Sequence, residues 1–249
     1  MNSTSKVLGF VLAMTTIVAL LLAFLQNGLK SKHEYNEALY SKKATLGAVA
    51  NHLDVDYKTI SNDQVTEIFN NQIKQYVVDY KGDVVPEEQV KAECGCKGGL
   101  AENLDLGKEK KKPLEDKLLP FYVFEKSDGG KYYIVYSRGK GLWDEIWGYT
   151  ALEEDFNTIA GVSFDHKAET PGLGAEIKDN KAWVKQFIGK KFYDKDGDFK
   201  SVTVRKGGAK DPVFEVDAIS GATITGDGVE DMLTESMQEY EPYLETLKG

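Results

Sequence analysis

The run Asp217-Ala218-Ile219-Ser220-Gly221-Ala222-Thr223-Ile224-Thr225-Gly226-Asp227-Gly228-Val229 joins a β-type segment to a helical one. Upstream, Val213 to Val216 reads as the end of a strand. Downstream, Val229, Met232, Leu233, Ser236, Met237 and Tyr240 recur at helical spacing. The small residues Ser220, Gly221 and Ala222 leave the Thr223 hydroxyl little steric cover. It falls at a helix mouth, where unpaired backbone N–H groups and the positive end of the helix dipole favour a phosphate. A Ser or Thr in that place is also an ordinary N-cap, so the local pattern leaves both readings open.

Outward from this run, the segment from Pro120 onward is rich in short β-type stretches. Phe121 to Glu125, Tyr132 to Tyr136, Gly148 to Ala151, Ile159 to Phe164 and Val202 to Arg205 are separated by turn chemistry such as Asp128-Gly129-Gly130. The expected fold class is α+β, a mainly antiparallel sheet with flanking helices. Before it, Asn62 or Ser61 can cap a helix whose apolar stripe is Val65, Ile68, Phe69, Ile73 and Tyr76. Residues 82–119, with Pro86, Gly95, Gly98, Gly99, Pro113 and the basic run Lys108 to Lys112, read as an exposed insertion. They hold Cys94-Gly95-Cys96, the only two cysteines of the chain. Two thiols are too few for a structural zinc site. A short disulfide, pairing with a partner and exposed thiols all remain open.

At the other end, Val7 to Leu25 is nineteen residues without a charge, long enough to cross a bilayer as a helix. Its length, and the sequence Ala23-Phe24-Leu25-Gln26-Asn27 at its end, favour an uncleaved anchor over a signal peptide. The expected organisation is a single transmembrane anchor over 1–30 and one domain over 31–249, beginning with a polar helical stalk. Lysines on both flanks leave orientation unsettled by charge counting. The remaining length suffices for an ordinary core.

Composition and spacing exclude several functions. A net charge of −9 with dispersed basic residues argues against nucleic acid as a partner. The block Ser137-Arg138-Gly139-Lys140-Gly141-Leu142-Trp143 is no dinucleotide fingerprint, because Asp144 stands where a third glycine is required. Of the three histidines, His33 and His52 lie in helical stretches with no carboxylate cluster at ligand spacing, which argues against a metal centre, and Ser220 lies in no Gly-x-Ser-x-Gly elbow.

Three blocks carry a resemblance. Asp217-x-x-Ser220-Gly221-Ala222-Thr223 is similar to the flavinylation motif of extracytoplasmic FMN-binding domains, in which the last Thr is esterified to the 5′-phosphate of FMN. Gly139-Lys140-Gly141-Leu142-Trp143 resembles their Gly-x-Gly-Leu-Trp turn. His166-Lys167-Ala168-Glu169-Thr170-Pro171-Gly172-Leu173-Gly174 resembles their His-x-Glu-Thr-Pro-Gly-Leu-Gly segment, matching it from Glu169 onward and holding one more residue between the His and the Glu. With the anchor, the pattern resembles that of the C subunit of the sodium-translocating NADH:quinone oxidoreductase. The homologous subunit of ferredoxin:NAD oxidoreductase (Rnf-type) complexes and a cofactor-free anchored interaction module are the alternatives.

The resemblance implies FMN bound covalently to Thr223, with Ser220, Gly221 and Ala222 around the phosphate. It implies Leu142 and Trp143 as ring contacts, and Glu169, Thr170, Leu173 and Gly174 as contacts from a loop that presents backbone groups to the flavin edge. Lys206, or Arg205 beside it, could stabilise the charge that a phosphodiester keeps. The implied partners are the other membrane subunits of the complex, membrane lipid and a separate flavin transferase. Electrons would pass from an iron centre through this FMN to a second FMN and on to quinone, coupled to sodium export. The implied location is a bacterial inner membrane, single-pass, with the domain on the periplasmic side.

Overall fold

The computed structural model describes residues 3–248; Met1, Asn2 and Gly249, which belong to the expected 1–30 and 31–249 segments, lie outside the described residues. Contacts divide the chain into two units at 40/41, ten residues beyond the boundary expected at 30/31. The described part of the first unit lies within helix α1 (Ser3–Ala48), whose side chains over residues 4–38 are exposed. It carries an apolar run of Val, Leu, Phe and Ile. Beyond that run, Lys30–Glu34 and His33–Glu37 pair one turn apart along the polar part. Among the described residues this is the one helix long and apolar enough to cross a membrane by length and composition.

The second unit begins with the last turns of α1, a 3-10 turn over Ala50–His52, and α2 (Asn62–Gln72). Ser61 caps α2 in a reciprocal box with Gln64. The helix stops at Gln72, and Ile73 and Tyr76, expected on its apolar stripe, instead belong to β1 (Ile73–Val78). Pairing with β2 (Leu119–Glu125) places Ile73 opposite Phe124 and Tyr76 opposite Phe121, and this ladder overrides the helical spacing. β3 (Lys131–Lys140), β4 (Glu145–Leu152) and β5 (Ile159–His166) complete an antiparallel five-stranded sheet in the order β1-β2-β3-β4-β5. The expected α+β fold with a mainly antiparallel sheet is therefore observed.

Between β1 and β2, residues 82–119 are not a uniformly exposed insertion. They form α3 (Glu87–Cys94), α4 (Leu106–Glu109) and two 3-10 turns. Val85, Val90, Ala101, Leu104 and Leu118 are buried in this segment, and the Glu109 carboxylate accepts the Leu118 N–H. Turn residues mark only the joints here; the apolar residues between them anchor the segment. Cys94 and Cys96 are disulfide-bonded to each other at the C-terminus of α3.

After β5 come α5 (Glu176–Asp179), α6 (Lys181–Lys185), a two-stranded parallel pair of β6 (Thr203–Arg205) and β7 (Glu215–Asp217), and α7 (Thr223–Lys248). Val229, Met232, Leu233, Met237, Tyr240 and Leu244 of α7 are buried in one apolar cluster with Phe121, Val135 and Ile146 of the sheet. Tyr240 fixes the register by donating to Pro120 O at 2.6 Å.

Glycine sets how closely α7 approaches. A Cβ on Gly228 would stand 2.2 Å from Lys140 O, and one on Gly139 2.6 Å from Met232 Cβ. Gly139 thus belongs to the strand, where its missing side chain admits the helix, and the turn expected at both glycines falls after Lys140. Elsewhere in a helix, replacing Gly by Ala gains about 1 kcal/mol. Here Gly228→Ala should reverse that sign and lower the unfolding free energy by about 1–3 kcal/mol through overpacking, as measured by chemical denaturation in detergent.

Candidate functional site

The three sequence blocks meet on one carboxylate. Glu169 is 4% exposed, although a glutamate is rarely buried unless its oxygens are engaged. Oε1 accepts the Trp143 N–H at 2.9 Å, and Oε2 accepts the Thr225 hydroxyl at 2.6 Å. One side chain from the loop after β5 thereby ties the β3–β4 turn to the first turn of α7. Two glycines make room for it. A Cβ on Gly141 would fall 2.5 Å from Oε1, and one on Gly174 would fall 2.1 Å from Oε2.

The loop carrying Glu169 is held at both ends. The Glu169 N–H donates to His166 Nδ1 at 3.2 Å, and the Leu173 and Ala175 N–H groups both donate to Thr170 O at 3.1 Å. His166 thus serves the loop's geometry. Gly172 turns the chain at φ +74°, in the left-handed region that glycine adopts without strain. The turn leaves Leu173 exposed and presses it against Gly221, where a Cβ would stand 2.7 Å from Leu173 Cδ2. Gly221 itself has φ +76°, so this position demands glycine twice over.

The two threonines of the opening run differ sharply. Thr225 is 1% exposed and spends its hydroxyl on Glu169. Thr223 is the first residue of α7 and only partly buried. The first helical hydrogen bond onto Ala222 O comes from Gly226 N–H at 2.9 Å. The N–H groups of Thr223, Ile224 and Thr225 therefore precede the ladder, as the first amides of any helix do. Ser220 and Gly221 are exposed beside them and Ala222 is buried.

Around this mouth stand apolar side chains that a folded domain would ordinarily cover. Trp143 is 65% exposed, and Leu142, Leu173 and Ile224 are exposed as well. Within residues 41–248, nine large apolar side chains are exposed, and these four of them come from the three blocks that meet on Glu169. A concentration of that kind marks a surface that receives something apolar.

Other expected positions lie differently. Thr170 is exposed at the loop's start and Gly174 is buried under the Glu169 carboxylate. Lys206 is exposed in the turn after β6. Its neighbour Arg205 is committed to Glu215 at 2.9 Å. Glu215 also accepts the Lys210 and Asp211 N–H groups, and these bonds, led by that from Lys210, lower its pKa to about 2. The Ala209 N–H donates to Asp217 Oδ1, which brings the Lys206–Gly208 turn up to the opening run; the Lys206 side chain forms no ion pair among the described residues. Thr225, Gly141 and the bracing role of Glu169 have no signal of their own in the sequence, since a buried acceptor and an exposed contact look alike there.

Fold and site together define an FMN-binding domain: the family of that description matches residues 141–238, a span that opens inside the second block and contains the other two. The chain is 32% identical over 247 residues to the C subunit of the Na(+)-translocating NADH-quinone reductase of Vibrio campbellii, covering 92% of this chain and 88% of the relative. It is 32% identical over 261 residues to that of Neisseria meningitidis serogroup A, covering 100% and 96%. The crystal structure of the same subunit from Parabacteroides distasonis superposes with a TM-score of 0.70 at 32% identity, covering 87% of this chain and 96% of that one. The chain belongs to the family of C subunits of the Na(+)-translocating NADH-quinone reductase.

The bracing role has a direct test. In Glu169→Gln only one acceptor oxygen remains for two donors, that of Thr225 buried, so stability should fall by about 1–3 kcal/mol. A double-mutant cycle with Thr225→Val should give a coupling of at least about 0.5 kcal/mol. Strict additivity in urea unfolding would sever the pair.

Proposed function

We infer that this chain is the membrane-anchored, FMN-carrying electron-transfer subunit of a sodium-translocating NADH:quinone reductase complex, with its flavin esterified to Thr223. The observation that carries the reading is the division of labour at Glu169. Its carboxylate sequesters Thr225 and leaves Thr223 as the accessible hydroxyl at a helix start, ringed by exposed Trp143, Leu142, Leu173 and Ile224. The names borne by the relatives favour the quinone reductase over a ferredoxin:NAD oxidoreductase.

The residues present fit FMN. The first-turn amides of α7 and Lys206 suit a phosphodiester carrying one negative charge. The exposed apolar side chains suit the benzenoid side of the ring, and the backbone of the Thr170–Gly174 loop suits its polar edge. Bound FMN supplies one-electron chemistry, relaying electrons between partner subunits toward quinone as sodium is exported. Glu169 keeps the three loops in register around it. Among the described residues no base is hydrogen-bonded to the Thr223 hydroxyl, so attachment calls for a transferase and a donor with a good leaving group. FAD would be such a donor: Thr223 would take its FMN phosphoryl group, AMP would leave, and a base of the transferase would take the hydroxyl proton.

The apolar part of α1 anchors the domain in lipid, and the domain stands on the periplasmic side, where a dissociable flavin would be lost. The other membrane subunits are its partners. A cytoplasm-only reporter fused after Gly249 should stay silent. Strong activity would place the domain inside.

Attachment is decided by peptide mass spectrometry on protein from its own membrane. Thr223→Ala should abolish covalent flavin, and Thr225→Val should keep the mass shift on the peptide containing Thr223. A shift that persists in the first variant and vanishes in the second would move the site to Thr225.

A further inference from the structure

Away from the candidate flavin site, a groove of about 440 Å³ runs beside β5, the last strand of the sheet. One wall is the end of α1 with the following residues to Lys58; the other is α5 and α6. Val162 and Phe164 of β5 line it. The Lys167 N–H donates to Glu145 O, so by antiparallel alternation residues 161, 163 and 165 bond toward β4, and Val162 and Phe164 turn their N–H and C=O groups to the free edge. No hydrogen bond reaches either group from outside the sheet among the described residues. The upstream part of the same edge is already extended by the chain itself, since the Ile159 N–H donates to Lys190 O and the Gly189 N–H to Ile159 O. The groove lies where that pairing stops.

Its rim is basic in a chain of net charge −9. Lys43, Lys58, Lys178, Lys181 and Lys185 line it against a single acid, Asp56, whose Oδ1 is occupied by the Lys58 N–H. Lys178 also pairs with Asp165. The side chains of Lys43, Lys58 and Lys185 form no hydrogen bond or ion pair among the described residues. Five lysines repel the same edge of a second copy, which excludes self-pairing. They attract a strand bearing carboxylates.

We propose that this groove is a docking site for an extended acidic segment of a partner protein, which adds to β5 as a further antiparallel or parallel strand and places its carboxylates among the lysines. Backbone bonds to Val162 and Phe164 supply the pairing, and the rim supplies the choice of partner.

The test uses the full-length protein in detergent and fluorescence anisotropy with a labelled peptide of about nine alternating Glu and Val residues, a typical strand length. The peptide should bind, and its Lys–Val counterpart should not. N-methylation of the peptide at alternate positions, in either phase, keeps its charge and removes donors; one of the two phases should weaken binding at least about tenfold. Lys58→Glu with Lys185→Glu should weaken it by a similar factor while the circular dichroism is retained. Equal binding of both N-methylated peptides would overturn strand addition on the unaltered protein, even if the lysine variant failed to fold. Absence of peptide binding would overturn the proposal, and so would lysine-dependent binding of phosphatidylglycerol vesicles in its place.

Discussion

A buried carboxylate with both oxygens engaged is the constraint on which the site depends. Glu169 is stable in the interior only while Trp143 N–H and Thr225 O–H donate to it, and each donor comes from a different part of the chain. Backbone amide, hydroxyl and carboxylate therefore specify one another's positions. The neighbouring glycines follow from this, because a side chain at Gly141 or Gly174 would occupy the space the carboxylate needs.

The same economy of space governs α7. Gly139 and Gly228 let the helix lie against β3 at backbone distance, which brings its first turn to the β3–β4 turn. With an ordinary helix-to-sheet separation, the Thr225 hydroxyl would fall short of Glu169. The chemistry of the mouth is in this sense set by packing on the sheet.

Much of the architecture was legible in the sequence where one physical signal dominates. Alternation and turn residues marked β2 to β5, and helical spacing after Val229 marked α7. Ile73 and Tyr76 misled because residues three and four apart can share a face of a helix, while a strand buried on both faces tolerates the same pattern. The stretch over 82–119 misled because Gly, Pro and Lys are conspicuous, whereas the buried Val90 and Leu104 that anchor it are not. At the site, the opening run and the loop at Glu169 were visible as blocks. That Glu169 is a brace, and that Thr225 is occupied where Thr223 is accessible, depends on contacts across 56 residues of chain that no local pattern encodes.

α7 begins at the candidate site and continues into the core. Thr223 to Thr225 form its first turn, and Met232, Met237, Tyr240 and Leu244 further along the same rod are buried against the sheet. A helix this well packed moves as a unit, so its first turn cannot loosen far without disturbing the rest. Amides from Gly226 onward, the first to bond into the helix, therefore exchange with opening of the domain as a whole, while those of Thr223 to Thr225 stand ahead of that ladder. A group held there would sit on a support as unyielding as the hydrophobic interior, and would change its charge state with little rearrangement of the protein around it.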